Sequence, residues 1–336
     1  MDYSTKYLTF NILSSGYIKW SYNNNATIHN TIEYRKNGGS WSAITATAAG
    51  VQISVVAGDV LEFRGDNNTY SDANARYGIF NGSTAEFNAV GNIMSLINST
   101  NFQNLKTFTG NYNFRYLFGG TKIVSAENLV LPATGLTTGS YRYMFQDSNL
   151  LTTAPKLPAT TLTSECYMGM FTNCTALKNV ICLATSGINT SNSTSSWLSG
   201  VSATGTFTKK AGVTWPTGSS GIPTNWIVQD YKTIELSETT IEVGTSSGST
   251  TLTVTSENDW SATTQDSWIA LSQTSGNSGE TTIGVSWSKN IFDERTATVR
   301  FTNTTTLDYV DLEIEQSNGN TLIPYANLFI NGNRIN

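Results

Sequence analysis

Phe114-Arg115-Tyr116-Leu117-Phe118, Tyr141-Arg142-Tyr143-Met144-Phe145 and Tyr167-Met168-Gly169-Met170-Phe171 are three versions of one phrase, spaced 27 and then 26 residues apart. Each is followed by an apolar segment and a similar turn: Leu131 to Thr134, Leu157 to Thr160, and a proline-free Cys182 to Thr185. A fixed period of this size marks a stacked repeat, because one unit cannot cover its own apolar face and takes its core from its neighbours. The Tyr and Phe positions of the phrases are therefore expected inside the stack. Residues 186–200, rich in Ser, Thr and Asn, read as a loop, and Gly205 to Trp226 as a cap that closes the stack.

The segments on either side of the repeats have a different period. From residue 5 to about 65 apolar residues alternate: Leu8, Phe10 and Ile12, then Ile18, Trp20 and Tyr22, Ile32 and Tyr34, Val51, Ile53 and Val55, Leu61 and Phe63. Asn37-Gly38-Gly39 and Ala57-Gly58-Asp59 supply tight turns between them, so a small antiparallel sandwich is expected. Residues 231–317 alternate again, with Leu252 and Val254, Ile283, Val285 and Trp287, Ala297, Val299 and Phe301, and Val310, Leu312 and Ile314 on inward faces. About seven short strands with regular turn signals point to an immunoglobulin-like sandwich. The divisions expected are 1–66 (N-terminal β-sandwich), 67–228 (repeats and cap), 229–318 (C-terminal sandwich) and 319–336 (tail). In that tail Leu322, Ile323, Phe329 and Ile330 are too few to bury themselves and are expected to pack on their own fold or on a neighbouring subunit.

Composition narrows the partners. Only 13% of the 336 residues are charged, about half the usual share, and the net charge is -5. With 38% hydrophobic residues and 37 aromatic ones (8 Trp, 15 Tyr, 14 Phe), the chain is not disordered; its surface is neutral and polar over aromatic cores. No basic stripe exists to neutralise phosphates, so nucleic acid is not an expected partner. No apolar run approaches the roughly 18 residues of a membrane span, and residues 1–8 carry no basic n-region or apolar h-region, so no signal peptide is expected. Cys166, Cys174 and Cys182 are an odd set in one short stretch, and the single histidine, His29, is remote in sequence. Buried free thiols are expected, without a metal site or other cofactor.

Two parts of the chain resemble known families. Met170-Phe171-Thr172-Asn173-Cys174-Thr175-Ala176-Leu177, Leu157 to Leu162 and the closing run Gly212 to Trp226 resemble the BspA-like leucine-rich repeats of gut Bacteroidota and their phages. The likeness spans roughly 90–228, and the first unit departs from it, with Gly119-Gly120-Thr121 where Asn173-Cys174-Thr175 stands later. Ser256 to Trp260, Asp266-Ser267-Trp268, Ser275 to Gly279, Asn290, Arg295 to Thr298 and Glu315-Gln316 resemble the BACON domain. Together with the N-terminal β-sandwich read from alternation, the resemblances imply a mainly β chain that continues as a short leucine-rich-repeat-like solenoid and a C-terminal immunoglobulin-like BACON sandwich. They also imply carbohydrate or mucin adhesion, or a spacer role.

Chemistry is sparse. There is no Gly-X-Ser-X-Gly elbow, no Walker sequence and no His-Glu-X-X-His. A catalytic triad would rest on His29, which sits in a polar run between two strands, and the acidic residues are scattered on outward strand faces (Glu62, Asp311, Glu313). No enzyme activity is expected. Trp260, Trp268 and Trp287 read as core. The candidate ligand residues lie in the polar loop after the first sandwich: Asn67, Asn68, Tyr70, Asn74 and Tyr77, where aromatic faces and amides suit a sugar. The expectation is a structural virion protein of a gut tailed phage, as capsid decoration, head fibre or tail fibre. It would join other virion proteins, associate as a homo-oligomer and adhere weakly to glycans or mucus. The alternative is a Bacteroidota cell-surface adhesin or an accessory carbohydrate-binding protein.

Overall fold

The computed structural model describes residues 3–23 and 26–319, together with two short paired strands, Phe329–Ile330 and Asn333–Arg334. The tail residues Leu322 and Ile323, expected to pack on their own fold or on a neighbouring subunit, lie outside the described residues, as do the side chains of Phe329 and Ile330. The chain is mainly β, with several sheets and no α-helix among the described residues. It falls into two compact units, residues 1–231 and 232–336.

The first unit begins with β1 (Leu8–Ile12), β2 (Gly16–Trp20), β3 (Thr31–Lys36), β4 (Ser42–Thr45), β5 (Val51–Val55), β6 (Val60–Arg64) and β7 (Phe87–Asn92). Period-two alternation places Leu8, Phe10, Ile18, Trp20, Leu61 and Phe63 wholly out of water. β4, β3, β6, β1 and β7 pair in that order, with β2 and β5 as a separate antiparallel ribbon. The sheet then changes character. β8 (Ile123–Ser125) and β9 (Leu129–Val130) join β7 in parallel, as required where the chain advances one rung at a time. Parallel pairing runs on from Asn88 to Ser125, Thr153 and Asn179. It continues through β10 (Asn179–Cys182), β11 (Thr206–Lys209) and β12 (Ile227–Asp230).

The repeat phrases form the opposite wall of this stack. Alternate amides bond to the next rung, as in Tyr116 N to Arg142 O, Phe118 N to Met144 O, Tyr143 N to Met168 O and Phe145 N to Met170 O, while the amides between them close turns on the residue three before. Positions four apart take the left-handed conformation (Tyr112, Tyr116, Gly120; Gly139, Tyr143, Asp147; Glu165, Gly169, Asn173; Asn192, Ser196, Gly200), as do Phe114 and Ser191. Residues 186–200 are thus a further rung and not the loop expected. Trp197 explains the difference: its indole does the work of two rings, stacked 6.2 Å from Tyr167 and tilted 6.4 Å from Phe171, so the segment needs no second aromatic.

Two ladders of rings run through the core. One passes Phe80, Phe118, Phe145 and Phe171 at 5.8, 5.3 and 5.4 Å. The other passes Tyr70, Phe114, Tyr141 and Tyr167 at 5.0, 6.3 and 6.2 Å. Both meet at Trp197, which stacks on Trp215 of the closing segment at 5.4 Å. Such pairs contribute about 0.5–1.5 kcal/mol each beyond area burial. One hydrophobic cluster therefore extends from Leu8 to Trp226, and the first sheet covers the open end of the rungs. Cys166, Cys174 and Cys182 are free and buried. Burial pushes the Cys166 thiol up to about 11 and that of Cys182 up to about 12.

The second unit has two sheets. One orders β13 (Ile234–Leu236), β15 (Gly248–Ser256), β19 (Gly279–Trp287) and β17 (Ile269–Leu271). The other orders β14 (Thr240–Val243), β21 (Tyr309–Gln316), β20 (Arg295–Asn303), β16 (Trp260–Thr264) and β18 (Ser275–Gly276). Leu252, Val254, Ile283, Val285, Val299, Phe301, Leu312 and Ile314 meet between them with Trp260. Trp268 and Trp287 were expected in that core and instead sit half-buried at its rim. Each has a polar contact that keeps it there: the Arg295 guanidinium lies 4.1 Å over Trp268, and Trp287 donates to Ser246 O. Asn290, Asn303 and Gln316 are buried and hydrogen-bonded to loop backbone, so these amides tie the strand ends.

Candidate functional site

The loop expected to carry ligand residues packs beside the outward face of the first two rungs. Asp66 anchors its start by accepting from Ser99 N and Oγ. Asp72 anchors its middle by accepting from Asn74 N, Ala75 N and the Tyr77 hydroxyl, which holds its carboxyl below the usual value. Ser71 Oγ donates to Tyr112 O, and Arg115 Nη1 donates to Asp72 O and Ala73 O, at 3.0 and 2.8 Å. The loop is therefore fixed to the rungs.

Of the five residues proposed from sequence, Asn68 and Asn74 are exposed. Asn67 is half-buried and donates to Thr31 O and to the Tyr70 hydroxyl. Tyr70 has no accessible surface; its ring opens the second aromatic ladder and its hydroxyl donates to Leu96 O at 2.6 Å. Tyr77 is 5% exposed and turned inward onto Asp72. The two tyrosines are core residues and not a ligand platform. Tyr70 lies 44 residues before Phe114, outside the repeat period, so no spacing signal revealed its place in the ladder.

The structure presents other aromatics at the surface instead. The outer rings of each phrase are buried as expected, but the middle positions Tyr116 and Tyr143, with Tyr112 before them, are half-buried and face outward. All three have left-handed backbone, a conformation costly for any residue with a β-carbon. Gly139 and Gly169 occupy the equivalent places one rung on, and their missing side chains make room. A β-carbon on Gly139 would come within 2.2 Å of the Tyr112 ring, and one on Gly169 within 2.2 Å of Tyr143.

Three arginines lie among these rings. The Arg76 guanidinium rests 3.8 Å from the centre of the Tyr116 ring, and that of Arg142 lies 4.9 Å from Tyr143. Arg142 pairs with Glu165 at 2.6 Å, while Arg115 binds the loop carbonyls. Burial lowers the Arg76 and Arg115 values from the ordinary guanidinium range, and for Arg115 the charges of Arg76 and Arg142 lower it further. The Nε atoms of Arg76, Arg115 and Arg142 are buried with no hydrogen-bond partner among the described residues. Phe-Arg-Tyr and Tyr-Arg-Tyr in the repeat phrases were the available signal for this cluster.

His29 is exposed and stacks on Tyr22 at 4.0 Å. Among the described residues no three His, Cys, Asp or Glu side chains converge as metal ligands, and no helix is long and apolar enough to cross a membrane.

No family model and no curated protein matches the chain. Among solved structures it is similar to a Bacteroides ovatus GH5 xyloglucanase in complex with a XXXG heptasaccharide, at 23% identity over 25% of this chain and 18% of that one, with a TM-score of 0.24. It is also similar to WR4, a C. elegans MSP family member, at 9% identity over 26% of this chain and 99% of that one, with a TM-score of 0.22. The chain thus spans less than a fifth of the xyloglucanase, and likenesses of this size carry no argument about function.

Proposed function

We propose that this chain is a non-catalytic structural protein of a gut tailed-phage particle, a capsid decoration, head fibre or tail fibre that adheres to glycans. In this reading the rungs are a short BspA-like leucine-rich-repeat solenoid and the second unit is an immunoglobulin-like BACON domain. The observation that supports adhesion is the row Tyr112, Tyr116 and Tyr143. Non-glycine left-handed residues cost on the order of 1–3 kcal/mol each and persist at sites that use them. These three keep large rings half in water, where the rings add little to the core. They are also pre-positioned, since backbone ladders hold each rung and glycine gaps seat two of the rings. A fixed aromatic face meets sugar C–H groups at small entropic cost, and neighbouring amides such as Asn68, Asn74 and Asn173 suit the hydroxyls.

The test has two arms. Mass spectrometry of purified particles is expected to find the chain in many copies; finding it only in bacterial outer-membrane fractions would favour the cell-surface adhesin. Binding of the full chain to immobilised mucin O-glycans is expected to be lost in Tyr116→Ala/Tyr143→Ala without release of product from the glycan. Undiminished binding by a correctly folded double variant, or turnover of the glycan, would defeat the adhesive reading.

A further inference from the structure

The arginine cluster among these tyrosines gives the adhesive face a chemical preference. Arg76 makes no side-chain hydrogen bond or ion pair among the described residues; its contact is the face of Tyr116. The nearby carboxylates are committed elsewhere. Asp72 is saturated by its own loop, Asp147 accepts from Asn173 Nδ2 at 2.8 Å, and Glu165 takes Arg142. Arg115 feels both of the other guanidiniums as like charges and Asp72 as an opposite one.

Arg76, Arg115 and Arg142 are partly desolvated and each has a buried Nε without a partner among the described residues, while the ion pair to Glu165 engages Arg142 alone, an arrangement that costs stability. Packing alone does not require it, since a neutral side chain would cover Tyr116 without the repulsion. A guanidinium that already stacks on a ring still offers its remaining donors to an oxyanion, and such charge-assisted, often two-pronged bonds are the strong ones.

We propose that Arg76 and Arg115, beside Tyr116 and Tyr143, bind the sulfate or carboxylate group of an acidic glycan, with the sugar lying on the tyrosine row. The tyrosines supply ring contact and the arginines select for charge. This assignment rests on the adhesive reading above, and it separates from it in the experiment.

The full chain is titrated with a sulfated galactose oligosaccharide, its unsulfated counterpart and inorganic sulfate, using wild type, Arg76→Gln and Arg76→Lys. Melting temperatures confirm that the variants fold; Arg76 is the one to change because its side chain makes no hydrogen bond or ion pair among the described residues, its contact being the Tyr116 ring. Wild type is expected to prefer the sulfated sugar by about tenfold, the size of one charge-assisted contact. That preference is expected to fade with added salt, to vanish in Arg76→Gln and to return only in part in Arg76→Lys. An equal preference in Arg76→Gln and wild type would overturn the assignment and leave the adhesive reading standing. Inorganic sulfate binding as tightly as the sulfated sugar would reduce the site to one for a free anion and also overturn it. Failure of wild type to bind either sugar would overturn both readings.

Discussion

The two units hide apolar residues by different means. In the second unit the longer strands contribute alternate side chains to a core between two sheets, so the interior is made of small contributions such as Val254, Val285, Val299 and Leu312 around two large rings, Trp260 and Phe301. In the rungs of residues 1–231 each repeat contributes whole aromatic rings to ladders that its neighbours continue. The first arrangement commits one face of each long strand to the core. The second hides the first and last rings of a phrase and leaves the middle residue outside, free to vary between Tyr116, Tyr143, Gly169 and Ser196. A backbone tied to its neighbour at every second amide tolerates that variation, which leaves the outward face of the rungs open to change without loss of the core.

The largest test of this contrast is at the ring where both ladders meet. Trp197→Ala is expected to destabilise residues 1–231 by about 3–5 kcal/mol, as for other buried aromatics, or more, because two stacks lose one partner. Scanning calorimetry is expected to show the corresponding transition move while that of residues 232–336 stays; Trp260→Ala is expected to do the reverse. Coupled movement of both transitions in either variant would mean that the two units are not energetically separate.

A smaller effect comes from the outward positions. Gly169→Ala puts a β-carbon into the Tyr143 ring and into left-handed backbone, and is expected to cost roughly 1–2 kcal/mol. Tyr143→Gly relieves that backbone strain, so its stability is expected to lie within about 1 kcal/mol of wild type while mucin binding falls. A large loss of stability in Tyr143→Gly, read from chemical denaturation, would show that the ring belongs to the fold and not to the surface.

The smallest effect concerns pH. Lys36 at 2.6 Å, with Val56 N and Asn37, holds the Asp59 carboxyl down at about 2. The folded value lies below the unfolded one near 3.9, so this contribution is present above about 4 and is lost as pH falls towards 2. Acid titration of Asp59→Asn is expected to remove that part of the acid sensitivity. A melting temperature equally acid-sensitive in variant and wild type would assign it to other carboxylates.

Much of the fold was legible because its periods are short. Alternation placed Phe10, Trp20 and Phe63 inside, and the 27- and 26-residue spacing put Phe118, Phe145 and Phe171 in register. The site was less legible. Tyr70 and Tyr77 looked like loop aromatics because residues 66–76 around them are mostly polar; the rings against Tyr70 come from Trp20 and Phe114, far away in sequence, and the Tyr77 hydroxyl is taken by Asp72. Residues 186–200 looked like a loop because one indole replaces two rings.

By itself, then, the amino-acid sequence determined the β character, the stacked repeat and the buried thiols, since each follows from a period or a composition that any window of the chain displays. Which tyrosines are hidden and which face outward was decided only in three dimensions. A ring is buried or exposed according to what lies across the ladder from it, and for Tyr70, Tyr116, Tyr143 and Arg76 that neighbour is 26 or more residues away. Glycine gaps, left-handed turns and guanidiniums laid over rings are properties of those meetings and not of the residues taken singly.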